Sequence, residues 1–176
     1  MKKSIRKQML MRRAIGIGGA IAVFTGAIAL SLNARSVGQS FSVPTPTGLV
    51  IKQSPHSVEE TEQRFISILE EKGLTVMTTV DHAQNAAGAG LELPPTKVVI
   101  FGNPKLGTPL MQCGPSIAID LPQKMLIWED EAGQVNVAYN DPRYLGGRHQ
   151  LGACGNDVIQ QIAGALDNFS NGAIAP

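Results

Sequence analysis

Asp120, Arg148 and His149 are the residues whose types and settings best suit chemistry. Asp120 stands between Ile119 and Leu121 and just before Pro122, so its carboxylate is expected against an apolar surface, where its proton affinity becomes useful to an acid or a base. The same residue also suits a turn, accepting backbone N–H bonds that fix the entry to the next strand. An arginine such as Arg148 can clamp a carboxylate or phosphate bidentately, and a histidine such as His149 can move protons near neutral pH. As neighbours on a helix the two side chains would diverge by about 100°, so they share a site only where the backbone is irregular, which Gly146-Gly147 allows. An arginine paired with Asp120 or Asp141, and a histidine bonded to the backbone, would serve folding alone. Both readings stay open on sequence.

Other site chemistry is poorly supplied. His56, His82 and His149 are scattered, without H-x-x-x-H, H-E-x-x-H or cysteines at zinc spacing, so no metal is expected. Gly102-Asn-Pro-Lys-Leu-Gly-Thr108 lacks the G-K-[ST] ending of a phosphate loop, and there is no serine elbow motif. His149 with Met111 or Met77 would be a poor case for haem, since methionine more often fills core gaps; no cofactor is expected. Cys113 and Cys154 are separated by 41 positions and form no C-x-x-C. In an oxidising compartment they would close a loop for about 4 kcal/mol, and otherwise they are two buried thiols. The sequence does not choose.

The elements that must position these residues alternate in kind. Gly48–Gln53 reads as a strand, and Ser57 with Glu60 makes a capping box opening a helix whose apolar residues run from Val58 to Leu69 and which Gly73 stops. Leu74–Val80 and Lys97–Gly102 read as strands, with a helical turn or loop at Ala83–Gly90 between them. Thr108-Pro109 is expected to cap a short helix ending at Gly114-Pro115. Gln123–Glu129 and Val135–Tyr139 flank a turn at Gly133 as a hairpin, and Pro142–Leu151 reads as a short helix or ordered loop, with Asp141-Pro142 as a cap. Asn156 is expected to cap a final amphipathic helix through Phe169. The order β-α-β-β-α-β-β-α predicts an α+β fold, a two-layer sandwich in which helices cover an antiparallel or mixed sheet.

Residues 1–35 carry seven Lys/Arg and no acid, and Ala14–Leu32 is uncharged. Nineteen residues span about 28 Å as a helix, near the roughly 30 Å hydrocarbon core, so this segment reads equally as a cleaved signal or a retained anchor. Arg12-Arg13 also raises a twin-arginine signal, although Met11 replaces the usual Ser/Thr. The positive flank keeps the N-terminus inside in each case and places the remainder outside the cytoplasm, in the periplasm or on the extracytoplasmic face of the membrane. Residues 36–47 read as a Pro-containing tether, 48–170 as one domain and 171–176 as a tail. Residues 36–176 hold eight Lys/Arg against fourteen Asp/Glu, a net of −6, which argues against nucleic acid as a partner.

The block from Lys97 to Leu151 carries a set of short motifs in order: Phe101-Gly-Asn-Pro, Gly107-Thr108 with Leu110-Met111, Asp120-Leu-Pro before Trp128-Glu-Asp, Tyr139-Asn-Asp-Pro, and Arg148-His149. In these the chain resembles the family called domain of unknown function 302, over roughly residues 48–170. The resemblance implies a compact α+β domain that pairs as a homodimer, and it implies no reaction. The two cysteines are not part of that pattern.

Three functional readings follow. The first is an exported or membrane-tethered homodimeric module that binds a small ligand or a partner, held to the membrane by residues 14–32 if they are not removed. Its binding groove is expected at the Asn103–Gln112 loop and the Arg148–His149 segment, with Asn103, Thr108, Asp120, Arg148 and His149 as ligand-binding residues. The second is a small hydrolase or isomerase using Asp120 and His149 as acid and base. The third is a structural partner of an envelope complex.

Overall fold

Leu49–Ser54 (β1) alternates buried Val50, Lys52 and Ser54 with Ile51 and Gln53 at the surface, the period-two pattern of a strand with one face on a core. The computed structural model describes residues 47–176; the signal or anchor segment and, apart from Thr47, the tether lie outside them. After β1 come α1 (Val58–Glu71), β2 (Thr75–Asp81), α2 (His82–Gly88), β3 (Thr96–Gly102), α3 (Pro104–Cys113), β4 (Gln123–Glu129), β5 (Val135–Asn140), α4 (Pro142–Arg148) and α5 (Asn156–Ala173). Short 3-10 turns occupy Pro115–Ile119 and Gly152–Gly155. The protein is α+β, with the expected order of elements and two further short helices, α2 and α4, where the sequence left a choice of helix or loop.

The five strands form one sheet in the order β1-β5-β4-β3-β2, and every pairing is antiparallel. Cross-strand partners share a face, so the register sorts the side chains. Val50, Lys52, Val99, Phe101, Met125, Ile127, Val137 and Tyr139 fall on one face and all are buried. Helices α1 and α5 pack here, through Phe65 and Leu69 on one and Ile162, Leu166 and Phe169 on the other. Phe65 meets Phe101 edge-to-face at 5.2 Å. The opposite face carries Ile51, Val80, Val98, Ile100, Leu126 and Trp128, each half-buried or exposed.

Local chemistry sets the ends of the helices. Ser57 caps α1, its hydroxyl accepting the Glu60 N–H at 3.1 Å, and Glu59 and Glu60 lie in the first turn where the helix dipole favours acids. α3 begins earlier than Thr108: Asn103 is the cap, its side chain accepting the Lys105 N–H at 2.9 Å, and Pro104 takes the first turn. Asn-Pro and Thr-Pro have the same capping grammar, and the earlier pair prevails because the longer helix turns Leu106 and Leu110 toward the core. Pro109 therefore sits inside α3 and cannot donate to the Lys105 carbonyl. Asn156 is the first residue of α5 rather than its cap; Gly155 holds that position and no side chain caps it. Residues 171–176 are not a loose tail. α5 continues to Ala173, Arg64 donates to the Ala173 and Ala175 carbonyls at 2.9 and 2.6 Å, and His56 Nε2 lies 2.7 Å from the Ala175 oxygen.

Candidate functional site

Where β3 runs into α3 a cleft, half open to solvent, reaches the edge of the core. A cavity of about 270 Å³ opens there, bounded by the ends of β2 and β3, by α3, by the segment leading into β4 and by α5. Its wall is mostly apolar: Leu74, Met77, Met111, Leu121, Ile162 and Phe169. Asn103, Thr108 and Gln123 bring polar groups to it. The Asn103 oxygen is occupied with capping α3. Such a lining, apolar with a few polar points, is that of a small-molecule site, and the volume is near the lower end for one.

The outer side of the same segment carries a polar chain. Ser116, on the 3-10 turn, places its Oγ 3.0 Å from His149 Nδ1, and His149 Nε2 lies 2.5 Å from Asp120 Oδ2. Arg148 Nη1 donates to Asp120 Oδ1 at 3.3 Å. Arg148 closes α4 and His149 is its C-cap, with φ −95° and ψ 6°; the helix ends between them, and both side chains reach the two oxygens of one carboxylate. The His149 side chain is 7% exposed and that of Asp120 13%, whereas Arg148 is half in solvent. Lys124 Nζ donates to the Asp120 and Pro122 carbonyls at 3.1 and 2.9 Å, which pins the far end of the turn. At its near end Cys113 is bonded to Cys154, joining the end of α3 to the 3-10 turn before α5.

The five residues expected in one groove thus fall in two places. Asn103 and Thr108 line the cavity; Asp120, Arg148 and His149 form the polar chain on the other side of the 115–122 segment and do not line it. Asp120 and His149 are bonded to each other and not aimed at a common vacant point. Sequence reasoning missed Ser116. Spacing gave no signal for it, because in a 3-10 turn side chains three apart align and Ser116 and Asp120 are four apart; what joins them is their shared contact with His149. Of the α5 residues of the cavity, Ile162, Leu166 and Phe169 were legible only as an apolar stripe, and Ala165 was not singled out. Among the described residues no cluster of His, Cys, Asp and Glu could hold a metal ion.

Two curated relatives, "Fluoride-specific ion channel FluC 1" of Brucella suis biovar 1 and "Fluoride-specific ion channel FluC 2" of Brucella melitensis biotype 1, are each 46% identical over 116 residues. That stretch is 66% of this chain but only 46% and 43% of theirs, so the chain spans less than half of the relatives it matches. A crystal structure of an uncharacterized conserved DUF302 protein from Bacillus stearothermophilus superposes with a TM-score of 0.65, over 72% of this chain and 98% of that one. At 16% identity that likeness shows the fold alone. The family model for "Domain of unknown function DUF302" matches residues 50–169, from the second residue of β1 to Phe169 of α5, and the chain belongs to the DUF302 family.

Proposed function

We propose that this protein is an exported or membrane-tethered homodimeric module that binds a small, largely apolar ligand in the cavity beside α3. The observation that carries the reading is the cavity itself. An opening of about 270 Å³ among Met77, Met111, Leu121 and Ile162, half open to solvent, is a concave apolar space of the kind small ligands occupy. An apolar cavity of about 150 Å³ holds a benzene ring, so this one suits a short acyl chain or a one- to two-ring compound. Neither the Thr108 hydroxyl nor the Gln123 amide has a hydrogen-bond partner among the described residues, which leaves both able to orient a polar end. A purely structural role in an envelope complex needs no such space.

The membrane side of the proposal rests on residues 1–35 and on the partial likeness to proteins named as ion channels. Among the described residues no helix is long and apolar enough to cross a membrane, so attachment is assigned to residues 14–32. Fluoride is a poor fit to the cavity, since an apolar wall cannot repay the desolvation of a small anion. The dimer reading is supported by the sheet face that no long helix covers among the described residues, whose apolar side chains a second layer would bury.

The cavity is tested by filling it. In Ala165→Phe a phenyl ring enters the space from α5; the variant is expected to keep its melting temperature within a few degrees and to lose a fluorescent apolar probe at least 10-fold in affinity. Equal probe binding by the folded variant and the parent protein sinks the reading.

A further inference from the structure

We infer that Ser116 is an activated nucleophile and that the protein accepts an acyl group from a carboxylic ester at this residue, apart from anything the cavity binds. Nucleophilic serine chemistry needs three groups in series: a hydroxyl on a base, the base on an orienting acid, and an approach from solvent. The chain has this series. Ser116 is exposed, its Oγ lies 3.0 Å from His149 Nδ1, and the other ring nitrogen of His149 lies 2.5 Å from Asp120 Oδ2. Asp120 accepts only at this position, so the imidazole carries its proton on Nε2 and presents a lone pair at Nδ1 to the serine hydroxyl. The ring is used in the opposite sense to a serine protease, where Nε2 faces the nucleophile; either nitrogen can accept the proton. Arg148 holds the second oxygen of Asp120 at 3.3 Å and so fixes the plane of the carboxylate.

The geometry assigns different roles from those of a separate acid and base. Ser116 Oγ adds to the ester carbonyl carbon while its proton passes to His149 Nδ1, and the carbonyl electron pair moves onto oxygen. Collapse of that adduct breaks the bond to the alcohol oxygen, which leaves with the proton from His149. Water repeats the sequence against the acyl-serine, His149 again taking and returning one proton, so that ester and water give acid and alcohol and Ser116 is regenerated. Asp120 touches neither substrate nor product; it is a positioning residue that stabilises the imidazolium as it forms. The disulfide at Cys113 and the Lys124 bonds to the Asp120 and Pro122 carbonyls hold the turn from both ends, which keeps Ser116 in register with His149.

The test uses the full-length protein with a fluorophosphonate probe, read by intact mass and peptide mapping, and with p-nitrophenyl acetate. One phosphonyl adduct on Ser116 is expected, absent in Ser116→Ala and formed at least about 100-fold more slowly in Asp120→Asn, which preserves shape but reverses the tautomer. Trp128 fluorescence checks that both variants are folded. A parent protein that takes no adduct overturns the proposal, as does labelling at Ser116 that is as fast in Asp120→Asn as in the parent. Both results would leave the chain of bonds as a clamp on the turn. The readout needs no occupant of the cavity, so this inference and the ligand-binding reading fail separately.

Discussion

Lys52 shows what one residue demands of its neighbours. Its ammonium, 3% exposed, sits beneath α5 with Asp167 Oδ1, Ser170 Oγ and Asn171 Oδ1 each at 2.7 Å and the Tyr139 ring 5.9 Å away. A buried cation persists only where every donor is matched; these three acceptors match its three protons, and the Asp167 carbonyl oxygen adds a longer contact at 3.2 Å. The same crowding, chiefly burial, pushes the Tyr139 hydroxyl up to about 12, from an ordinary value of 10.0. Lys97 is also raised, first by its bond to Glu62 at 2.7 Å. Both groups hold their protons in the folded state longer than in the unfolded one, so folding binds protons at high pH and stability falls as pH rises. For Tyr139 the loss runs from about pH 10 to about 12, and the Lys97 contribution, complete below 10.5, declines as pH passes its folded value. Urea midpoints are therefore expected to drop steadily above about pH 10, and Tyr139→Phe to remove much of the tyrosine share of that slope. None of this was legible beforehand. Lys52 reads as the polar position of a strand, and its burial is decided by α5, more than a hundred residues away.

At the scale of elements, the segment from Cys113 to Pro122 is the piece on which the others depend, since it forms one wall of the cavity and carries Ser116 and Asp120. It has little regular structure of its own and is held by a bond at each end. Closing a separation of 41 residues is worth about 4 kcal/mol through the unfolded state. The double variant Cys113→Ser/Cys154→Ser is expected to lose roughly that amount in chemical denaturation, and to show faster hydrogen exchange in residues 114–121 than in α1 or β4. A loss below about 1 kcal/mol with unchanged exchange would mean that His149 and Lys124 suffice to hold the turn. Element types were largely readable from period and caps, as at Ser57 and Gly133. Two facts were not. α3 offered two Asn/Thr-Pro starts, and the choice depended on where Leu106 and Leu110 find a core. The adjacency of Arg148 and His149 argued against a shared target, until the helix proved to end between them.

The whole molecule has an imbalance between its layers. One face of the sheet lies under α1 and α5, and the other presents Ile51, Val98, Ile100, Leu126 and Trp128 with no helix of comparable length upon it among the described residues. Ala138 and Asn136 on that face are buried, with Ile51, Leu126 and Trp128 among their cross-strand neighbours. Five strands about 4.8 Å apart and six to seven residues long give a patch roughly 20 Å on a side, about 400 Å² in plan, which would be the apolar centre of an ordinary interface of ~800 Å² per partner, its rim supplied by the flanking loops. Lys124 is the charged residue whose register places it there, and its ammonium is turned back onto the Asp120 and Pro122 carbonyls. Two copies can therefore meet face to face without bringing free charges together, their sheets about 10 Å apart. Leu126→Arg places a cation near the centre of that patch on an already half-buried side chain. Sedimentation at micromolar concentration is expected to give a dimer for the parent protein and a monomer for the variant, with the far-ultraviolet spectrum unchanged and Trp128 emission shifted to the red as its cover is removed. A parent protein that sediments as a monomer, or a variant that remains a dimer, would move the contact elsewhere and leave this face to another partner.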